Sequence, residues 1–213
     1  LHRSSGVFFD HDKGKTHSSG KIIYSSRIIP VRGSWIDLEI DHKDIVYIRI
    51  DRRRKFPVTI FFKALGYTSQ ELFNYFYNCE KIIIKNGRLF KKFKEGKEKY
   101  RGLKGQRASF DIKDPDTGEI FVKEGRLFSQ RAIKQLQTSG IEMIPISIDD
   151  ILGKVYAGTV KTDDGKVIAT LNDIVNEENY ASLQEAGIDE FELLFIDGSY
   201  NSGSIHKTLL LDK

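Results

Sequence analysis

The sequence predicts an α+β protein in which an antiparallel, sheet-rich part with short helices precedes a duplicated ββαβ unit in the C-terminal half. Three observations favour this class. Several strand candidates rich in β-branched and aromatic residues lie within residues 7–50, two short helical segments follow them, and a self-similar pattern recurs at an offset of 47 residues after position 108. A chain of 213 residues is expected to form one or two domains.

Four strands are predicted near the N-terminus. They cover 6–10, 21–30, 34–41 and 45–51. From Trp35 to Ile40 the aliphatic residues alternate with aromatic or acidic ones, so one face of this strand is apolar and the other polar. Turns at 30–33 and 42–44 contain Pro, Gly or Asp, which tolerate turn backbone angles. The segment therefore predicts a small antiparallel sheet.

Two short helices are expected after the sheet. Pro57 suits the start of a helix over 58–65, and Gly66 ends it. Thr68 and Glu71 have the spacing of a capping box for a second helix over 69–77.

A hairpin and a linker are predicted next. The hairpin covers 81–90 and turns at Asn86-Gly87, the pair that most readily adopts positive φ at both turn positions. The segment 91–104 is basic and interrupted by Gly, which predicts a linker or mobile loop.

The C-terminal half contains an internal repeat. Its copies cover 109–146 and 158–196, and each reads strand, Asp/Gly turn, strand, helix, Gly cap and strand. Gly140 and Gly187 follow the two helices, and each precedes an Ile that can pack back on its helix. The repeat predicts architecture and carries no information on chemistry.

Charge divides the chain into two parts. Residues 1–107 hold 24 Lys and Arg against 11 Asp and Glu, a net charge of +13, whereas 108–213 hold 10 against 19, a net charge of −9. We therefore expect a basic part over 1–107, an acidic part over 108–200 and a connecting segment over 201–213. A basic part either attracts polyanions such as nucleic acid or presents a solvated surface.

Several classes of protein are disfavoured. No apolar run approaches about 18 residues, and no signal peptide pattern is present, so a cytoplasmic protein without membrane contact is expected. A single cysteine, Cys79, can form neither an internal disulfide nor a Cys-type zinc site. The chain begins without Met, which predicts an internal fragment of a longer protein.

No catalytic motif is complete. Lys13 to Thr16 resembles the end of a phosphate-binding loop, but Phe9 occupies the position that requires Gly. His11 and His17 are spaced unlike zinc ligands. We therefore predict no catalytic residue, no metal site and no cofactor in this chain.

The strongest binding candidates are a tryptophan and a basic run. Arg52, Arg53 and Arg54 precede a lysine and would either neutralise phosphates or remain solvated. Trp35 shares the polar face of its strand, where an exposed indole suits the stacking of a nucleic-acid base, although a tryptophan is more usually buried. Cations that include Arg3 surround it in sequence.

Four segments carry a resemblance to a known family. They are Leu1–Phe9, Lys13–Lys21, Arg27–Trp35 and Arg49–Lys55. Together they closely resemble the lobe region of the bacterial RNA polymerase β subunit. The similarity is most specific over 1–65 and continues more loosely to the end of the chain. Ser5 departs from the family pattern, which usually has Pro at this position.

The resemblance implies a part of the DNA-directed RNA polymerase, the nucleotidyltransferase that transcribes DNA, with the lobe forming one wall of the downstream DNA cleft. The connecting segment 201–213 would lead back toward the neighbouring protrusion domain. The expected partners are DNA, the rest of the β subunit, the β′, α and ω subunits, and a sigma factor. The catalytic magnesium would lie on the β′ subunit, so the fragment itself would carry no catalytic residue.

The resemblance also implies roles for single residues. Trp35 matches a tryptophan that stacks on a base of the non-template strand, and Arg3 matches an arginine of the pocket for the next, flipped-out guanine. Arg52, Arg53 and Arg54 match a basic run that faces the DNA channel. The alternative is a protein-interaction module, in which the acidic repeat docks another subunit or a transcription factor and DNA contact is incidental.

Overall fold

A computed structural model describes residues 4–11, 22–93, 100–115, 117–196 and 202–212. These residues form two compact units. The first contains the described residues up to Phe76 together with the C-terminal 202–212, and the second runs from Tyr77 to residue 196. Antiparallel sheets and short helices confirm the predicted α+β class.

The first unit is built on a five-stranded antiparallel sheet in which the strands follow their chain order. The strands are β1 (Gly6–His11), β2 (Tyr24–Ile29), β3 (Ile36–Ile40), β4 (Val46–Ile50) and β5 (Phe56–Pro57). All four predicted strands are present, and β5 is an addition of two residues. In the register, Arg27 pairs with Asp37, which in turn pairs with Arg49. Charged side chains therefore form a row across one face, as the alternation in the third strand predicts.

Two helices follow the sheet directly, as predicted. Helix α1 spans Val58–Ala64 and helix α2 spans Ser69–Phe76. The capping box is confirmed, because the Glu71 N–H donates to the Thr68 hydroxyl (3.2 Å) and the Thr68 N–H donates to the Glu71 carboxylate (2.7 Å).

The C-terminal residues contain a further helix of the first unit. Helix α5 (Ser204–Leu209) lies where the sequence predicted a connecting segment. Its Thr208 hydroxyl accepts a hydrogen bond from the Val46 N–H (2.9 Å), and Lys207 pairs with Asp44 (2.8 Å). A helix of six residues is too short to show a helical repeat in the sequence, so contacts with distant residues fix it.

The second unit is built around a hairpin. Strands β6 (Asn78–Lys85) and β7 (Arg88–Lys92) flank Asn86 and Gly87, whose φ angles of 50° and 70° confirm the predicted turn. The complete sheet has the order β10-β7-β6-β13, in which β10 spans Met143–Ile146 and β13 spans Glu190–Phe195.

The predicted duplication is present as two series of elements. The first consists of β8 (Ile112–Lys113), β9 (Ile120–Val122), α3 (Gln130–Thr138) and β10 (Met143–Ile146). The second consists of β11 (Val160–Lys161), β12 (Val167–Ala169), α4 (Glu177–Glu185) and β13 (Glu190–Phe195). The helices are offset by 47 residues, and Gly140 and Gly187 after them have φ of 64° and 66°.

The prediction of a linker or mobile loop over 91–104 is wrong for its described residues. Lys91 belongs to β7, and its side chain is buried. Tyr100 and Leu103 are also buried, and the Tyr100 hydroxyl donates to the Ile141 carbonyl (2.5 Å). Glycine and lysine suggested an open segment, but the interleaved apolar residues anchor both of its ends in the core.

Charge and compactness divide the chain differently. The hairpin of β6 and β7 is basic, yet it forms the centre of the sheet that carries the acidic repeat. Residue 107 therefore marks the change from basic to acidic composition. That it is also a domain boundary stays a prediction. No helix within the described ranges is long and apolar enough to cross a membrane.

Candidate nucleic-acid interface

Trp35 lies at the start of β3 on the charged face of the first unit's sheet. Its carbonyl accepts a hydrogen bond from the Asp51 N–H (2.9 Å), which extends the pairing of β3 with β4 by one residue. The side chain is half-buried, so the indole is neither part of the core nor fully open to solvent.

Two guanidinium groups lie over the indole. The Arg27 guanidinium carbon is 5.6 Å from the ring centroid, and that of Arg52 is 5.4 Å away. Both distances are typical of cation–π contacts, in which the electron-rich ring face attracts a positive charge. The sequence therefore folds an aromatic ring and two cations into one surface.

Arg27 is fixed by a carboxylate on the neighbouring strand. Its Nε donates to Asp37 Oδ1 at 2.5 Å, and Asp37 is almost fully buried while Arg27 is partly exposed. This hydrogen bond raises the pKa of Arg27, so the guanidinium remains charged. Because the ion pair crosses β2 and β3, it holds the cation beside the indole.

Arg52 reaches the ring from a tight turn. Asp51 and Arg52 have φ angles of 52° and 58°, and the Arg53 N–H donates to the Ile50 carbonyl (3.1 Å). Two successive positive φ angles are typical of a type I′ turn, where Asp-Gly is preferred. An arginine here accepts a strained backbone conformation.

The rest of the basic run extends from this turn along the same edge of the unit. Arg53 and Arg54 are exposed, and within the described part of the chain neither has an ion-pair partner. Lys55 instead lies over the Tyr47 ring (4.5 Å) and within 3.9 Å of Glu39. Arg53 and Arg54 therefore have charge left for an anionic ligand, as does Arg52, whose contact with the indole does not neutralise its charge.

A groove continues from Arg27 toward the first strand on the face that holds Trp35. It encloses about 670 Å³, and its lining includes Ser4, Phe8, Asp10, Arg27, Asp37 and Glu39. Phe8 pairs with Arg27 across β1 and β2, and its ring is 45% exposed. The charged face therefore offers a second aromatic ring beside the same arginine.

The structure brings some of the predicted site residues together. Trp35 and Arg52 are in contact, whereas Arg53 and Arg54 follow in the same turn and face solvent. Arg3 lies outside the described residues, so its predicted role stays a prediction.

Sequence analysis did not single out Arg27 from the other nearby cations. The cross-strand register identifies it, because a β2–β3 hairpin pairs residue 27 with Asp37 and places both beside Trp35. Among the described residues no group of three or more His, Cys, Asp or Glu side chains could hold a metal ion.

The fold and this surface define an α+β module with a charged, partly aromatic sheet face next to an exposed run of arginines. The chain belongs to the RNA polymerase Rpb2, domain 2 family, whose model matches residues 5–111, about half of the chain. The match includes the whole sheet of the first unit and the hairpin of the second.

Curated relatives are similar over the whole chain. It is 57% identical to the DNA-directed RNA polymerase subunit beta of Desulforapulum autotrophicum, 53% to that of Desulfosudis oleivorans and 50% to that of Syntrophotalea carbinolica. Each alignment covers 100% of this chain and 15% of the relative. The chain therefore spans a small part of the length of these proteins.

Proposed function

We propose that this chain is part of the β subunit of a DNA-directed RNA polymerase, where it binds the displaced, non-template DNA strand. The observation that carries this proposal is the half-buried Trp35 ring with the Arg27 and Arg52 guanidinium groups over it. Family membership supports the polymerase context, and the basic surface supports DNA as the ligand.

Binding follows from stacking and charge. An unpaired base stacks on the indole, which contributes about 1–3 kcal/mol and tolerates any base because every base has a π face. Arg52, which has no ion-pair partner among the described residues, then lies close enough to pair with a flanking phosphate or stack on the base, whereas Arg27 stays paired with Asp37 beside the ring. Arg53 and Arg54 contact the phosphates further along the strand.

The role is to position DNA, and the chemistry of nucleotide addition belongs to the assembled enzyme. In this proposal the chain forms one wall of the downstream DNA cleft in the cytoplasmic polymerase. The rest of the β subunit, the β′, α and ω subunits and a sigma factor complete the assembly, and another subunit holds the catalytic magnesium. Arg3 lines the pocket for the next flipped-out guanine.

Photo-crosslinking within the assembled polymerase tests the identity of the ligand. A benzoylphenylalanine at position 35 is expected to crosslink to a single position of the non-template strand in an open promoter complex. The control replaces Tyr75, an 80% exposed aromatic residue of α2 in the same unit. Equal crosslinking from both positions, or crosslinks to protein only, would contradict the proposal.

The dependence of DNA affinity on salt tests the basic run. Replacing Arg53 and Arg54 by Gln is expected to lower the slope of log affinity against log salt by about 0.7–0.9 for each lost phosphate contact. Sequence preference should not change, because phosphate contacts carry no base information. An Arg107→Gln enzyme is the control, since this exposed arginine belongs to the second unit. An unchanged slope would show that Arg53 and Arg54 are only solvated.

A further inference from the structure

The two copies of the repeat place equivalent strands at opposite edges of one sheet. Strand β10 closes the first copy and pairs with β7, whereas β13 closes the second copy and pairs with β6. Residues 143–146 and 190–193 correspond at the offset of 47. The sheet therefore allows a direct comparison of two related edges.

The edge of β13 is covered by a short segment that directly precedes the second copy in the sequence. The Leu194 N–H donates to the Val155 carbonyl (2.8 Å), and the Ala157 N–H donates to the Glu192 carbonyl (2.9 Å). Tyr156, between these two bonds, is fully buried. A short extended segment thus completes the second copy.

The matching segment of the first copy is Arg107–Ser109, which corresponds to 155–157 at an offset of 48, one residue more than the offset of the strands. Arg107 forms a β-bridge with Leu127, just as Val155 does with Ile174. The Ala108 N–H donates to the Arg126 carbonyl, just as the Tyr156 N–H donates to the Asp173 carbonyl. The large Tyr156 of the second copy is thereby matched by the small Ala108.

This segment makes no backbone hydrogen bond to β10 among the described residues. The Asp150 carboxylate instead accepts hydrogen bonds from the Ser147 N–H (2.7 Å) and the Ser109 hydroxyl. A cleft of about 620 Å³ lies here, and its lining includes Arg107, Ala108, Ser109, Ile144, Pro145 and Ile146. In the first copy the matching segment is therefore separated from the edge of β10 by a cleft, whereas in the second copy it is hydrogen-bonded to the edge of β13.

The exposed edge of β10 offers a hydrogen-bond acceptor. The Phe93 N–H donates to the Glu142 carbonyl (2.8 Å), so by alternation residues 142, 144 and 146 bond to β7 while Met143 and Pro145 point away from it. Pro145 has a carbonyl and no N–H, and it corresponds to Glu192, whose carbonyl accepts the bond from Ala157. An incoming strand has to donate an N–H at this position.

The rim of the cleft is acidic. Its lysines, Lys91 and Lys154, are both bound to Glu80, and Arg107 donates to the Gly125 carbonyl. Glu124 and Asp149 are exposed, and neither has an ion-pair partner within the described ranges. The lining holds three cations (Lys91, Arg107 and Lys154) and three carboxylates (Glu124, Asp149 and Asp150), and with Glu80 bound to both lysines the net charge is −1. The carboxylates of Glu124 and Asp149 are the negative groups exposed to a ligand.

We propose that the edge of β10 binds an extended segment of a partner protein, which carries an apolar side chain into the cleft and an adjacent Lys or Arg toward Glu124 and Asp149. This is strand addition, in which backbone hydrogen bonds provide affinity and the side-chain pocket provides specificity. The β10 edge belongs to the second unit and the proposed DNA-binding surface to the first, so either proposal can fail while the other holds.

The test uses the whole chain and a labelled peptide with the sequence of residues 153–159, Gly-Lys-Val-Tyr-Ala-Gly-Thr, which fills the equivalent edge of the second copy. Fluorescence anisotropy is expected to show saturable binding, with amide NMR shifts concentrated at 107–109 and 143–147. A peptide N-methylated at its alanine is expected to bind at least tenfold more weakly, because it cannot donate to Pro145.

Charge reversal provides the matched control. The double substitution of Glu124→Lys and Asp149→Lys should weaken peptide binding at least tenfold, whereas Asp164→Lys, at an exposed turn of the second copy, should leave it unchanged. No saturable binding at 1 mM peptide, or equal binding by the methylated peptide, would overturn the proposal. A concentration-dependent dimer in sedimentation experiments, with shifts at β10, would identify a second copy as the occupant and also overturn it.

Discussion

Arg52 combines a strained backbone with a side chain that belongs to the proposed DNA-binding surface. Its φ of 58° is in the left-handed region that favours Gly, and its guanidinium lies over Trp35. A side chain with a Cβ at such a position costs on the order of 1 kcal/mol. Placing the Arg52 cation at the indole therefore lowers the stability of the turn.

Replacing Arg52 with Gly or with Ala separates strain from charge. Both variants lose the cation–π contact, but only the alanine keeps a Cβ at positive φ. We expect Arg52→Gly to be more stable than Arg52→Ala by about 1 kcal/mol in the free energy of unfolding, measured with urea. DNA affinity should fall equally in both. An alanine variant as stable as the glycine variant would show that the turn is unstrained.

At the residue scale, the sequence predicted the place of Trp35 but not its neighbours. Strand alternation is a local property, so it correctly assigns the indole to the polar face. The contact with Arg27 depends on the register between β2 and β3, and the contact with Arg52 depends on positive φ at a non-glycine residue. Neither feature can be inferred from a single segment.

At the scale of elements, an ion triad around the buried Glu80 joins the central hairpin of the second unit to Lys154, which lies between the two copies of the repeat and is partly exposed. Glu80 of β6 accepts hydrogen bonds from Lys91 of β7 and from Lys154, the latter at 2.6 Å. Burial alone would raise the pKa of Glu80, but the two lysines outweigh it and lower the pKa below its ordinary value of 4.5. The carboxylate therefore remains charged inside the unit.

Removing this charge should be costly. We expect Glu80→Gln to lose about 3–5 kcal/mol of unfolding free energy at neutral pH, because two lysines lose their buried counterion. The matched control is Glu190→Gln on the neighbouring strand, where the exposed pair with Lys81 should contribute at most about 1 kcal/mol.

The effect of Glu80 also depends on pH. Because the folded-state pKa is lowered, the stabilisation is complete above the unfolded value of 4.5 and is lost as the pH falls through the folded-state pKa. The difference between wild type and Glu80→Gln should therefore shrink in acid. Urea unfolding of both proteins between neutral pH and pH 3 measures this difference in unfolding free energy. A difference that grows in acid would contradict the lowered pKa of Glu80.

Gly102 allows a close approach between two elements of the second unit. A Cβ at this position would lie 2.9 Å from Phe195 Cε2, although the φ of Gly102 is not positive. We expect Gly102→Ala to cost about 1–3 kcal/mol through overpacking. Adding Phe195→Leu should recover part of this loss in a double-mutant cycle, whereas strictly additive effects would exclude the contact as the cause.

Secondary structure was predictable where local chemistry determines it. The Thr68–Glu71 capping box, the Asn86-Gly87 turn and the two Gly-capped repeat helices all lie where the sequence places them. The structure of the segment 91–104 was not predictable, because the burial of Lys91 depends on the Glu80 carboxylate, which only the fold brings beside it. Short elements that depend on contacts with distant residues cannot be predicted from the local sequence.

At the scale of the whole molecule, the charge division does not mark the compact units. The basic hairpin of β6 and β7 lies at the centre of the sheet formed with the acidic repeat. The first unit nevertheless carries the surface with Trp35, and the second carries the open edge of β10. The two proposed binding surfaces therefore belong to separate compact units.

The lifetime of the open promoter complex tests the central claim most directly. An assembled polymerase with Trp35→Ala should lose about 1–3 kcal/mol of strand binding, which shortens the lifetime between about 5-fold and 150-fold. The Trp35→Tyr enzyme should retain much of the wild-type lifetime. The Tyr75→Ala enzyme, changed at an exposed aromatic position of α2, should have the same lifetime as the wild type. A Trp35→Ala enzyme with the wild-type lifetime would contradict the capture of an unpaired base by this indole.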